Sequence, residues 1–144
     1  MAYKSLTLLG FDFGTKSIGV AVGQTITKSA KPLTVIKVKD DNLDWSKVTQ
    51  LIDEWKPDAL IVGLPLNMDG SEQAITQVVR EFANDLQRKF NLPVHLVDER
   101  LTTVEARAKL FAEQGGYRAL QKPAIDAMAA QLILESWMQQ NRDE

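Results

Sequence analysis

The sequence is poor in residue types that many metal and redox sites use. It contains no cysteine, which excludes disulfide bonds and thiolate metal ligands. It contains one histidine, His95, so a metal site would have to be built from oxygen ligands. Oxygen ligands suit hard ions such as Mg²⁺ and Mn²⁺, and these are the ions that the composition favours.

The sequence also lacks a strong excess of charge and a long hydrophobic run. Its 144 residues carry a formal net charge of −2, which argues against wholesale wrapping of nucleic acid but leaves room for a local basic patch. The most apolar late segment, residues 124–137, is interrupted by Asp126 and Gln131 and is too short to span a bilayer. The N-terminus shows no signal peptide. We expect a cytoplasmic protein without a membrane partner.

Hydrophobic periodicity predicts one α/β domain over residues 1–144. Three strands are predicted first, joined by short loops as an antiparallel meander. Helices then alternate with two continuous apolar strands, a pattern typical of parallel pairing with both faces of the sheet covered. The expected architecture is a mixed five-stranded sheet, its first three strands antiparallel, flanked by helices. The predicted strands cover residues 5–13, 17–23, 33–38, 59–65 and 93–98, and the predicted helices follow residues 45, 71, 102 and 122.

Acidic residues stand at the ends of these elements. Asp12 lies inside an otherwise apolar strand, where a lone carboxylate is costly to bury unless it is paired, protonated or bound to a metal. Asp98 and Glu99 end the last strand, and Asp126 shares a face of the last helix with apolar residues. Ligands of open α/β sheets gather beyond the carboxyl ends of the strands. Carboxylates that converge there repel one another, and divalent ions would neutralise them.

Each acidic residue also has an ordinary structural explanation. Asp12 precedes Gly14 and could accept backbone hydrogen bonds in a turn. Asp98 could cap a helix or pair with Arg100, and Asp126 could simply stabilise the start of a helix through the helix dipole. Their joint occurrence at the ends of elements in one small domain favours a site.

Four ordered motifs cover nearly the whole chain and resemble one family. They are "FDFGTKSIGVAVG" at 11–23, "VGLPLNMDGSE" at 62–72, "DERLTTVEA" at 98–106 and "GGYRALQKPAIDAMAAQLILES" at 115–136. Together they resemble the YqgF (RuvX) family, a branch of the RNase H-like nucleases related to the RuvC resolvases. The resemblance implies an RNase H-like fold and a hydrolase that cuts nucleic-acid phosphodiesters with divalent metal help. Its implied roles are maturation of the 5′ end of the 16S ribosomal RNA precursor, which we favour, or resolution of Holliday junctions.

The resemblance also assigns roles to individual acidic residues. Asp12, Glu99 and Asp126 match the catalytic metal ligands, with Asp98 as a substitute or helper. We expect two Mg²⁺ or Mn²⁺ ions roughly 4 Å apart, with Asp12 bridging them. RuvC-like resolvases carry a further acidic residue one turn after the last-helix aspartate, where this chain has Ala129. Without an acidic residue at position 129, the chain departs from the RuvC pattern, which bears on how many ions it binds and on whether it resolves junctions.

Positive and aromatic side chains near the motifs are candidates for nucleic-acid contact. Phosphate contacts of this kind give affinity without reading sequence, although a single surface Lys or Arg often has no partner at all. The implied partners are ribosomal RNA precursor or branched DNA, together with precursor ribosomal particles, and the chain would act as a monomer or homodimer. The candidate residues are Lys16, Arg100, Arg107, Tyr117, Arg118 and Lys122.

Two other functions compete with a nuclease. The first motif also resembles the first phosphate loop of the sugar kinase, actin and chaperone ATPase superfamily, but those proteins enclose ATP between two such domains. A noncatalytic RNA-binding assembly factor would keep the fold without turnover. The intact acidic set argues against that factor, because carboxylates facing phosphates weaken binding.

Overall fold

A computed structural model describes residues 5–14, 16–40, 42–99 and 122–140, and residues 122–125 by their backbone alone. Six strands and three helices are described. Their bounds are β1 (Thr7–Phe13), β2 (Ser17–Gln24), β3 (Ser29–Lys39), β4 (Asn42–Leu43), α1 (Trp45–Trp55), β5 (Ala59–Leu64), α2 (Ala74–Phe90), β6 (Val94–Asp98) and α3 (Lys122–Gln140). Among them, none of the helices combines the length and the apolar character that a membrane crossing needs.

The strands form one mixed sheet in the order β4-β3-β2-β1-β5-β6. The meander β1-β2-β3 is antiparallel, whereas β5 pairs in parallel with both β1 and β6. The predicted α/β class and the pairing directions are therefore confirmed. The predicted count of five strands is wrong by one, because β4 is added at the edge beside Val38 and Lys39. A strand of two residues is too short to show a period of two in the sequence.

Helix starts agree with the sequence in two cases and differ in one. Helices α1 and α3 begin where the apolar spacing and the Lys122-Pro123 pair predict. Helix α2 begins at Ala74 and not at Ser71, because Ser71 is held in a turn in which its backbone N–H donates to the carboxylate of Asp69. The helix predicted after Thr102 lies outside the described residues.

Two apolar cores cover the two faces of the sheet. On one face, α1 and α2 pack against side chains such as Phe11 and Leu60, with Phe82 of α2 at the centre. On the other face, α3 packs Ile133 and Leu134 against the sheet. Strand β1 contributes side chains to both cores, which explains its almost unbroken run of apolar residues. A polar side chain on β1 therefore faces either α1 and α2 or α3.

Candidate active site

The side chain of Asp12 projects toward helix α3. A Cβ atom built on Gly10 would lie 2.5 Å from Cγ of Leu134 in α3, so residue 10 faces that helix. Residues two apart in a strand point to the same face, and Asp12 therefore faces α3 as well. Asp12 is the penultimate residue of β1 and is half-buried. Its carboxylate lies near the carboxyl end of a central strand, where the sequence predicted it.

Glycine opposite Asp12 lets α3 rest on the sheet. Gly19 of β2 pairs with Asp12, and a Cβ atom on Gly19 would lie 2.0 Å from the backbone oxygen of Asp126. No side chain fits at that distance, so the contact requires glycine. Paired residues of antiparallel strands have Cα atoms about 4.5–5.5 Å apart. The backbone of Asp126 thus lies over the immediate neighbour of Asp12.

Ser17 fixes the direction of the Asp126 side chain. Its Oγ donates a hydrogen bond of 2.9 Å to Oδ2 of Asp126, across 109 residues of sequence. Ser17 and Gly19 lie on the same face of β2, as residues two apart must. The Asp126 carboxylate is therefore directed back onto the sheet at the end of β2 that adjoins Asp12.

Glu99 reaches the same face from the other side of β1. Phe11 pairs with Val62 in parallel, so the following residues, Asp12 and Gly63, lie side by side. A Cβ atom on Gly63 would lie 2.7 Å from Oε1 of Glu99, and that oxygen is buried. Asp12 is thus flanked by two glycines, one beneath Asp126 and the other beneath Glu99. Three carboxylate-bearing residues share one face and one end of the sheet.

Asp98 does not share that face. It pairs with Leu64, whose side chain belongs to the core beneath α1 and α2. Val97, the neighbour of Asp98 within β6, belongs to the core beneath α3, so Asp98 points to the opposite face. Glu99 follows the strand and meets Gly63 on the α3 side. The register places Asp12 and the glycine that Glu99 covers on the α3 face, where the backbone of Asp126 also lies, and it leaves Asp98 on the opposite face.

These carboxylates fit a hard divalent ion by donor type and by position. The described parts of the chain nevertheless contain no group of three Asp, Glu or His side chains close enough to hold one ion together. Mg²⁺ in enzymes is commonly held by one or two carboxylates, several waters and the phosphates of the substrate.

The residues predicted to contact nucleic acid are only partly described. Lys16 is exposed beside the β1–β2 turn, and its backbone oxygen accepts a 2.9 Å hydrogen bond from the N–H of Val38. Lys122 begins α3, but its side chain is not described. The remaining candidates lie outside the described residues: Arg100, Arg107, Tyr117 and Arg118.

Three residues that shape the site were not predicted from the sequence. Gly19 and Gly63 interrupt otherwise apolar strands, and a glycine inside a strand often marks a close approach of another backbone. That signal was present in the sequence. Ser17 carried no comparable signal, since its contact with Asp126 depends on where α3 packs.

Comparison with known sequences points to one family. A sequence model of the RuvX family, described as "Holliday junction resolvase", matches residues 6–140. A protein of Haemophilus ducreyi is 58% identical over 135 residues, covering 94% of this chain and 97% of its own length. A protein of Escherichia coli O157:H7 is 60% identical over 134 residues, covering 93% of this chain and 96% of its own. Both relatives bear the name "Putative pre-16S rRNA nuclease".

Comparison with solved structures points to one fold. RuvC of Thermus thermophilus matches with a TM-score of 0.60 at 16% identity, covering 95% of this chain and 98% of its own. The fowlpox virus Holliday junction resolvase matches with a TM-score of 0.55 at 15% identity, covering 94% of this chain and 99% of its own. At these identities the likeness concerns the fold, and it agrees with the RNase H-like class predicted from the sequence.

Proposed function

The chain belongs to the RuvX family, and we propose that it is a metal-dependent nuclease that cleaves the precursor of 16S ribosomal RNA. The family predicted from the four motifs is confirmed by this match. The observation that carries the proposal is the convergence of Asp12, Glu99 and Asp126 on one face, with glycines 19 and 63 making room for them. The relatives' name supports the choice of RNA, because those proteins match over nearly their whole length.

Each carboxylate has a distinct task in this proposal. Asp12, on the central strand and between the other two, would contact both ions, while Glu99 and Asp126 would each hold one of them. When bound, two divalent ions stabilise the attacking and leaving oxygens of an in-line phosphodiester displacement. Ser17 is a positioning residue, since it touches Asp126 and orients its carboxylate.

The surroundings of the three carboxylates favour charge-dependent chemistry. Oε1 of Glu99 is buried, and Asp12, Glu99 and Asp126 are each half-buried. Electrostatic interactions strengthen where water is excluded. A substrate phosphate and its ions would therefore experience the carboxylates more strongly than they would on an open surface.

Resolution of Holliday junctions is the second candidate. The description of the family model favours it, and so does the RuvC-like fold. Junction resolution requires two symmetric cuts, and hence two active sites in a dimer. Processing of one RNA end requires a single site, and in this proposal Asp12, Glu99 and Asp126 of one chain form it.

A cleavage assay on three substrates tests the proposal. Labelled RNA spanning the 5′ end of mature 16S RNA, a four-way DNA junction and an unrelated single-stranded RNA would each be incubated with the protein over a range of Mg²⁺ and Mn²⁺ concentrations. The precursor would be offered both as naked RNA and within precursor ribosomal particles. Asp12→Asn serves as the inactive variant, and Asp53→Asn, an exposed position on α1, serves as its matched control.

We expect metal-dependent cleavage of the ribosomal RNA precursor by the wild type and by Asp53→Asn, and none by Asp12→Asn. Faster cleavage of the junction than of the RNA would favour the resolvase. Tight RNA binding without cleavage at any metal concentration would identify a noncatalytic assembly factor and overturn the proposal.

A further inference from the structure

Two lysines of β3 lie on the same face of the sheet as the carboxylates. Val35 of β3 pairs with Gly19, and residues 35, 37 and 39 alternate onto one face. Because Gly19 faces α3, Lys37 and Lys39 leave the sheet on the α3 side. Both side chains are exposed.

Lys37 is next to the cleavage centre by register. It pairs with Ser17, the residue that donates to Asp126. Two strand spacings of about 4.8 Å separate β3 from β1, so Lys37 starts about 10 Å from the strand of Asp12. A stacked nucleic-acid strand advances about 3.4 Å per nucleotide, and this offset corresponds to about three nucleotides.

Neither lysine is committed to another group within the part of the chain that the structure describes. The ion pairs found there join Arg80 to Glu72 and Arg88 to Asp85, both away from β3. The open groove of about 690 Å³ that both lysines border lies between β3 and α1, on the opposite face of the sheet, and is not part of this surface. Within the described residues, no ion pair occupies their ammonium groups.

We propose that Lys37 and Lys39 bind phosphates of the nucleic-acid strand on the β3 side of the cleavage centre, about three nucleotides from the bond that is cut. The inference rests on the proposed nuclease function. It adds the path of the bound strand, which would run from the carboxylates toward β3. Phosphate contacts of this kind fix the register of a strand on the protein without reading its bases.

Lysines on an edge strand also have a second use, which is to prevent pairing with other sheets. Lys31 and Pro32 occupy the exposed part of the β3 edge and suffice for that purpose. At residues 38 and 39 the edge is already covered by β4. Edge protection does not explain why Lys37 and Lys39 both lie on the face of the sheet that bears the three carboxylates.

A double variant, Lys37→Gln with Lys39→Gln, tests the inference against a matched control. The control is Lys28→Gln with Lys31→Gln, which removes two exposed lysines of the β2–β3 hairpin that lie away from the site. Binding would be measured by fluorescence anisotropy with a labelled 20-nucleotide single-stranded RNA in EDTA, which prevents turnover. The salt dependence of binding and the KM and kcat of metal-dependent cleavage would be measured on the same proteins.

We expect the Lys37/Lys39 variant to bind about five- to tenfold more weakly and to lose about 1.4 from its salt slope, which is two phosphates at about 0.7 each. Its KM should rise while kcat stays within about twofold, and the control should match the wild type in each measurement. Wild-type binding and an unchanged salt slope in the Lys37/Lys39 variant would overturn the inference. If the wild type cleaves nothing but the binding difference persists, the nuclease proposal fails and the phosphate contacts stand.

Discussion

At the scale of single residues, two glycines set the distance between the sheet and the carboxylates. A side chain at position 19 would collide with the backbone of Asp126, and one at position 63 would meet both Ile133 and Glu99. Gly23, near the other end of β2, is less crowded, because its nearest contacts, the flexible end of Met138 and the backbone oxygen of Ser29, both lie at 3.2 Å. The same residue type therefore has different importance at two positions of one strand.

Replacing Gly19 by alanine should displace the start of α3. Overpacking of a well-packed interior costs about 1–3 kcal/mol, and here the added methyl group meets backbone rather than a mobile side chain. We expect Gly19→Ala to lose at least about 2 kcal/mol of unfolding free energy in urea titrations and to lose most cleavage activity. Gly23→Ala is the control and should lose less than half as much. Equal stability of the two variants would show that α3 does not rest on Gly19.

Replacing Ser17 by alanine should weaken the function of Asp126 more than the fold. The lost hydrogen bond contributes about 1 kcal/mol, which corresponds to about a fivefold change in an equilibrium. We expect Ser17→Ala to require about fivefold more Mg²⁺ for half-maximal cleavage, with a melting temperature within a few degrees of the wild type. Ser29→Ala, at an exposed hydroxyl of β3, should leave the Mg²⁺ dependence unchanged. If Ser17→Ala titrates with Mg²⁺ like the wild type, Ser17 does not position Asp126.

At the scale of elements, strand register decides which acidic residues meet. Asp98 ends β6 and Glu99 lies just past that end, so strand alternation does not fix where Glu99 points. The sequence could not predict which of the two faces α3, since that depends on the pairing of Gly63 with Val97 and on how the chain leaves β6. The positions of Asp12 and Asp126 at element ends followed from apolar periodicity, but their proximity depended on the packing of α3 over Gly19.

The N-cap of α1 is a local feature, because it depends on residues only two positions apart in the sequence. Asp44 is its N-cap residue and accepts a hydrogen bond from the backbone N–H of Ser46. The hydrogen bond from the Ser46 side chain is the main cause that lowers the pKa of Asp44 below its ordinary value of 3.8. Asp44 is fully exposed, and its contribution to stability is correspondingly screened by solvent.

The cap gives a pH-dependent prediction with a definite sign. A carboxylate whose pKa is lower in the folded state stabilises the fold above its unfolded pKa, and this contribution is lost as the pH falls through the lowered value. We expect Asp44→Ala to be less stable than the wild type at pH 7 in urea titrations, and the difference to shrink as the pH falls below 3.8. Asp53→Asn, at an exposed position in the last turn of α1, should show no such convergence. A difference that is the same at pH 7 and at pH 3 would contradict a role for the charged cap.

At the scale of the whole molecule, the three residues proposed to bind metal, Asp12, Glu99 and Asp126, belong to one chain. The three residues come from β1, from the end of β6 and from α3, which are separated in sequence and brought together by one sheet. An RNA-processing enzyme needs no second copy for a single cut. A junction resolvase needs two sites related by symmetry.

The dependence of activity on protein concentration separates these two modes. We expect the cleavage rate per mole of chain to stay constant when the protein is diluted from about 10 μM to 10 nM on saturating RNA precursor, while sedimentation reports the mass of the species present. A single active site per chain is the physical reason. A rate per mole that falls steeply on dilution, in step with the loss of a dimer, would contradict single-chain action and favour the resolvase.

The central claim is that Asp12, Glu99 and Asp126 act as one metal-dependent centre. The most direct measurement is a Mg²⁺ titration of precursor RNA cleavage by Asp12→Asn, Glu99→Gln, Asp126→Asn and the three pairwise combinations. Residues that work as a unit are strongly non-additive, so each single variant should lose at least about a hundredfold in kcat and the double variants should lose little more. Losses that multiply across the double variants, or near wild-type cleavage by any single variant, would show that the three carboxylates do not form one centre.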